Sequence, residues 1–232
     1  MVGEVLESRL KALEELSGLH LQIARYMLRV DGGAIFGADL VASAVLHRSL
    51  GLIRGFCGAI RDENYLCAAP LVRIQLDNLL RFYAFFLVEN PHETALRVFE
   101  GEPLRKQADK NGKKMTDRYL VEKLSQELPW VKSVYDATSG FIHFSERHMF
   151  CSQGDIDDAG HSVSLHVSGK DIGIPDSARL EAVAAMIEIT KQVLRHVYGW
   201  AHTKDVTSLA TGGSPASPPI AQPRPRQPGA MW

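Results

Sequence analysis

Residues 70–88 read Pro-Leu-Val-Arg-Ile-Gln-Leu-Asp-Asn-Leu-Leu-Arg-Phe-Tyr-Ala-Phe-Phe-Leu-Val. Apolar side chains fall on nearly every face of a 3.6-residue repeat, so the stretch predicts a helix covered on all sides, the central member of a bundle. Pro70 suits the first turn of that helix, where a missing N–H costs nothing. Upstream, Leu6, Leu10, Leu13, Ile23, Met27 and Val30 recur at helical spacing among Glu4, Glu7, Lys11 and Glu14. They predict an amphipathic helix to about Val30, stopped by Asp31-Gly32-Gly33. A second helix is expected from about Gly37 to Asp62, with Ser43, Gly51, Gly55 and Gly58 small enough to admit a neighbouring backbone.

Downstream, Asn90-Pro91 breaks the chain and opens a short helix to about Glu100. Thr116 and Asp117 can cap another that runs to about Glu127, Pro129 starts one that reaches about His143, and Asp176 to about Lys204 forms a long closing helix. Between His148 and Ile174 the pattern changes. Ser162 to Ser168 alternates with period two and is expected to pair with Met149–Ser152 across a loop from Gly154 to Gly160. The fold class expected is mainly α: a multi-helix bundle with a small β-hairpin insertion near 148–170.

The composition agrees with a packed core. The chain has 232 residues, 45% hydrophobic and 23% charged, which excludes collagen-like, coiled-coil and wholly disordered classes. With 26 basic and 27 acidic side chains there is no whole-molecule field to attract nucleic acid or anionic lipid, so either would need a local patch. Cys57, Cys67 and Cys151 cannot all pair and lack the spacing of zinc ligands, and Glu4 and Glu7 stand where a secretory signal would be basic and then apolar. A cytoplasmic location follows as the expectation. No run reaches the roughly 20 apolar residues of a membrane span, so no membrane partner is expected. From Val206 onward six of the chain's 11 prolines appear with Gly212 and Gly213. That divides the chain into a single helical domain, 1–205, and a disordered Pro-rich tail, 206–232.

Chemistry is sought among polar groups that such a core should exclude. Arg73, Asp77 and Arg81 stand at i, i+4 and i+8 and make one charged stripe on an apolar helix. Tyr135, Ser139 and His143 repeat that spacing after Pro129. If the two helices are neighbours, the stripes face each other and line one pocket. His143 would exchange a proton, Arg73 and Ser139 would act with it, and Arg81, Asp77 and Tyr135 would bind and orient a phosphate-sized substrate. The alternative is that both stripes are structural ion and hydrogen-bond networks.

Sharper motifs fail. Ser139 has neither the strand-turn-helix elbow nor the Gly-rich oxyanion loop of a Ser-His-Asp hydrolase. Asp155, Asp157 and Asp158 begin like a calcium loop, but its twelfth position is His166 rather than Glu. No metal and no cofactor are expected. Residues 101–118 carry Arg105, Lys106, Lys110, Lys113, Lys114 and Arg118 against three acids, a basic connector that could meet a phosphate backbone. No aromatic residues interleave with these cations to stack bases.

Three stretches carry a family resemblance: Ala69-Pro70-Leu71-Val72-Arg73 to Asp77-Asn78-Leu79-Leu80-Arg81, Lys113 to Leu120, and Tyr135-Asp136-Ala137-Thr138-Ser139-Gly140-Phe141-Ile142-His143-Phe144-Ser145. Together they resemble uncharacterised bacterial helical proteins related to the HEPN superfamily. The resemblance implies a helical bundle that often dimerises and binds RNA or a nucleotide phosphate, in many members as a metal-independent ribonuclease of a defence or stress system. Active members carry an arginine followed a few residues later by a histidine on one helix. Here Ala137, Thr138 and Ser139 precede His143 at that spacing, so Arg73 and His143 would have to rebuild the pair from two helices. The reading outside catalysis is a helical protein-interaction module.

Overall fold

The computed structural model describes residues 2–211 apart from 144, 158, 159 and 172. Eight α-helices and one hairpin follow in order among them: α1 (Val2–Met27), α2 (Gly37–Arg61), α3 (Tyr65–Tyr83), α4 (Pro91–Phe99), α5 (Asp117–Glu127), α6 (Trp130–Ser139), α7 (Glu146–Ser152), β1 (Gln153–Asp157), β2 (Ser162–Leu165) and α8 (Asp176–Thr211). The mainly α bundle with a hairpin insertion is therefore the architecture.

Four long helices make the core. α3 packs on α2 and α8, and α1 on α8 and α2. Leu13, Met27, Leu76, Leu79, Val183, Met186, Ile189, Val193 and Val197 meet there and are fully inaccessible. Each such side chain contributes about 1.5–3 kcal/mol by leaving water. α4 lies against α2, while α5 and α6 form a flank on α3.

Several boundaries differ from the sequence expectation. α3 begins five residues before Pro70, because the Asn64 side chain caps it by accepting the Cys67 N–H at 3.0 Å. Pro70 thus sits in the second turn and leaves the Leu66 carbonyl without its helical donor. At its far end α3 gives way at Ala84–Phe86 to a 3-10 turn instead of running to Val88. α6 stops at Ser139 with Gly140 as its C-cap, four residues short of His143. The hairpin pairs Ile156 with Val163 and Asp157 with Ser162. Its first strand is therefore the stretch expected as a loop, and Met149–Ser152 belongs to α7.

α8 continues to Thr211, past the boundary at Asp205. The first helix breakers after Lys204 are Gly212 and Gly213, which explains the extra turns. The rest of the expected tail, 212–232, lies outside the described residues.

α2 is long and apolar enough to cross a bilayer by composition alone, yet it packs between α1 and α3, with His47, Arg48 and Arg54 on its exposed side. Of its interior glycines, Gly55 has the Leu71 Cδ1 at an ordinary 3.5 Å from where a Cβ would stand, and the other two seat no neighbour. A Cβ at Gly51 or Gly58 would meet nothing within 4 Å, because that face points outward. Close approach occurs instead at Gly37, whose N–H donates to His92 Nδ1 at 2.7 Å and whose missing Cβ would lie 3.0 Å from the His92 carbonyl oxygen.

Candidate functional site

The stripe on α3 is assembled as the sequence spacing implies, and two further elements join it. Asp77 accepts from Arg81 Nε at 3.1 Å and from Arg48 of α2 at 3.3 Å. Asp117 enters as the first residue of α5, placed by Thr116, whose hydroxyl accepts the Tyr119 N–H. Its carboxylate receives Arg81 Nη2 on one oxygen, and Arg73 Nη2 lies 3.6 Å from the other. The Arg73 guanidinium stacks 4.1 Å above the centre of the Tyr135 ring. Three guanidiniums thus meet two carboxylates, and Arg81 Nη1 is buried without a hydrogen-bond partner.

The second stripe is not assembled. Ser139 donates its hydroxyl to the Tyr135 carbonyl at 2.6 Å, the usual back-bond of a helical serine. His143 lies beyond the helix end and is exposed. Direction separates it from the arginines. α6 runs antiparallel to α3: Tyr135 meets Arg73, and Phe141 meets Tyr65 edge-on with ring centroids 5.7 Å apart. Tyr65 lies about 12 Å along α3 from Arg73 and about 24 Å from Arg81, at about 1.5 Å per residue. The stripes therefore cross at Arg73 and Tyr135 and diverge from there. Among the described residues, no hydrogen bond or ion pair joins His143 to Arg73, Asp77, Arg81 or Ser139. Arg73, Asp77, Arg81 and Tyr135 come together; Ser139 and His143 do not join them.

The basic connector is a built loop. Asp109, 6% exposed, accepts from the backbone N–H groups of Asn111 and Lys113 and from the Tyr119 hydroxyl at 2.5 Å. Tyr119, partly buried against this acceptor, has its hydroxyl pKa pushed up to about 12. The Met115 N–H closes the loop on the Gln107 carbonyl, and Gly112 supplies the positive φ of the turn. Arg105, Lys106, Lys110, Lys113, Lys114 and Arg118 are all exposed around that frame, and among the described residues only Arg118 has an ion pair, with Glu122.

Three polar groupings escaped the sequence reading. The first runs through the core: Gln75 donates to Ser49 at 2.6 Å and to Thr190 at 3.0 Å, and Ser49 meets His20 Nε2 at 2.9 Å. His20 Nδ1 lies 2.9 Å from the Leu16 carbonyl, which assigns the proton to Nδ1 and lets Nε2 accept from Ser49. Asn78 adds a bond to the Val45 carbonyl. Burial lowers the His20 pKa and keeps the ring neutral. The second joins α2 to α8, where buried Lys204 donates to Asp39 and to the Met27 and Ala34 carbonyls, and Trp200 donates to the other Asp39 oxygen at 2.7 Å.

The third lies in a cleft of about 260 Å³ lined by Glu127, Gln192, Arg195 and His196. Tyr83 donates to Glu127 there at 3.2 Å, and burial lowers the His196 pKa while pushing that of Tyr83 up to about 12. Gln75 and Asn78 could have been found: they stand beside Leu76 and Leu79 on the inner face of the quoted stretch. His196 had no local signal, because the aromatic rings of Tyr83 and Phe86 around it come from a distant segment.

Among the described residues no three His, Cys, Asp or Glu side chains gather as a metal site. Set against family models, curated proteins and solved structures, the chain matches none.

Proposed function

We propose that this chain is a HEPN-like helical domain that binds RNA or a nucleotide phosphate through the 105–118 loop, and that Arg73, Asp77 and Arg81 brace that loop instead of forming a reaction centre with His143. One observation carries the reading. Six exposed cationic side chains stand on a loop made rigid by a buried acid, and all but Arg118 lack an ion pair among the described residues. Lys and Arg held in place at low ordering cost are what a phosphate backbone requires. Arg81 and Arg73 hold Asp117, and with it the start of α5, at the base of the loop.

Fluorescence anisotropy with single-stranded RNA tests this. Contact with about five phosphates makes the affinity fall roughly a hundredfold between about 50 and 200 mM salt. Replacing Lys110, Lys113 and Lys114 by Glu should abolish binding without unfolding the chain. His143→Ala should leave binding, and any RNA cleavage, unchanged. If the wild-type chain shows no salt-dependent binding, the second reading stands: a helical protein-interaction module. The pairing of Arg73 and Arg81 with Asp77 and Asp117 favours that reading, because charges that already have carboxylate partners need no ligand.

A further inference from the structure

Between α3, α6 and α8 the bundle leaves a cleft of about 340 Å³. α6 packs on α3 and α5, and where it passes α8 the facing residues are Ala178, Ala182 and Ala185. Ala69 of α3 and Ala137 of α6 continue the lining. A bundle closed at this point would carry larger side chains; methyl groups leave the volume open, and it lies in the range of small-molecule sites. The edge-to-face pair of Tyr65 and Phe141 stands at one end.

Among the described residues, Glu181 is the sole charged member of the lining, is exposed, and makes no ion pair. The neighbouring cation, Arg179, is taken by Asp176 at 3.1 Å. An apolar cleft with aromatic rings and one unpaired carboxylate complements a flat hydrophobic body that ends in an ammonium group.

We propose that this cleft is a binding site for a small aromatic or aliphatic amine, with the apolar body between the alanine faces of α6 and α8 and the ammonium group at Glu181. The site is separate from the basic loop, whose charge would repel such a ligand, so neither assignment depends on the other.

Calorimetric titration of the full chain with tryptamine, with the neutral alcohol tryptophol and with indole-3-propionate decides it. Tryptamine is expected to bind saturably, in the millimolar range or tighter for a ligand of this size, with tryptophol weaker and the carboxylate weakest. Glu181→Gln should weaken tryptamine about three- to fivefold, the scale of an exposed ion pair, and leave tryptophol unchanged. Ala137→Leu, at an exposed helix position that tolerates leucine, should fill the cleft and remove binding of both while the melting curve stays intact. No saturable tryptamine binding up to about 10 mM, a carboxylate that binds as well as the amine, or affinities untouched by Ala137→Leu would overturn the proposal.

Discussion

α3 presents two polar faces. On the inner one, Gln75 and Asn78 are neutral, fully buried and bonded to Ser49, Val45 and Thr190, so a single chain of hydrogen bonds ties α2, α3 and α8 to His20 of α1. On the outer one, Arg73, Asp77 and Arg81 are charged and keep partial contact with water, with Arg73 11% and Arg81 26% exposed. The difference teaches where a bundle can hold each kind of group. Amides, hydroxyls and a neutral imidazole lose little when every donor finds an acceptor, whereas guanidiniums stay at the seam between core and flank, where carboxylates and solvent share their charge.

The largest expected effect lies on the inner face. Gln75→Ala removes two bonds and opens a cavity, and should cost about 3 kcal/mol in urea unfolding. A cost below about 1 kcal/mol would place the burden elsewhere.

Next comes the protonation of the same network. Burial lowers the pKa values of His20 and His196, so below about pH 6.5 the unfolded chain binds more protons than the folded one. Stability should be level above about pH 7.5 and fall as the pH drops through about 6.5, the ordinary histidine pKa. The lowered carboxylates Glu7, Glu14, Glu63 and Asp109 titrate below this window. His20→Gln should flatten the slope, and an unchanged slope would assign it to His196.

The outer face should respond less. Asp117→Ala takes one of two carboxylates from Arg81 and the ion-pair partner from Arg73, at about 1 kcal/mol given its exposure. It should also loosen the 105–118 loop, read as faster amide exchange at Lys113 and Met115. Smallest is His143→Ala, expected within about 0.5 kcal/mol of wild type because the side chain is exposed. A large loss there would reunite the histidine with the stripe.

Much of this was legible. Periodicity placed the long helices, and the i, i+4, i+8 spacing of Arg73, Asp77 and Arg81 marked a true stripe. Spacing misled at His143, because Gly140 ends α6 before the third member of the second stripe is reached. Gln75 and Asn78 lie deeper, but a neutral amide interrupts an apolar repeat less sharply than a charge does, so the pattern marks them weakly. The partners Arg48, Asp117 and Thr190 come from other helices, and only the packed chain could bring them in. The cleft beside Glu181 was likewise invisible, since an empty volume between alanines leaves no mark on periodicity.

The most direct test of these two faces is the salt dependence of two costs, those of Asp117→Ala and Gln75→Ala, measured by urea unfolding at about 0.05 M and 1 M NaCl. Screening contracts to about 3 Å at the higher concentration. The cost of Asp117→Ala should then shrink by half or more while that of Gln75→Ala holds. An Asp117→Ala cost that equals or exceeds that of Gln75→Ala and ignores salt would contradict the account, making the stripe a buried charge centre and not a brace.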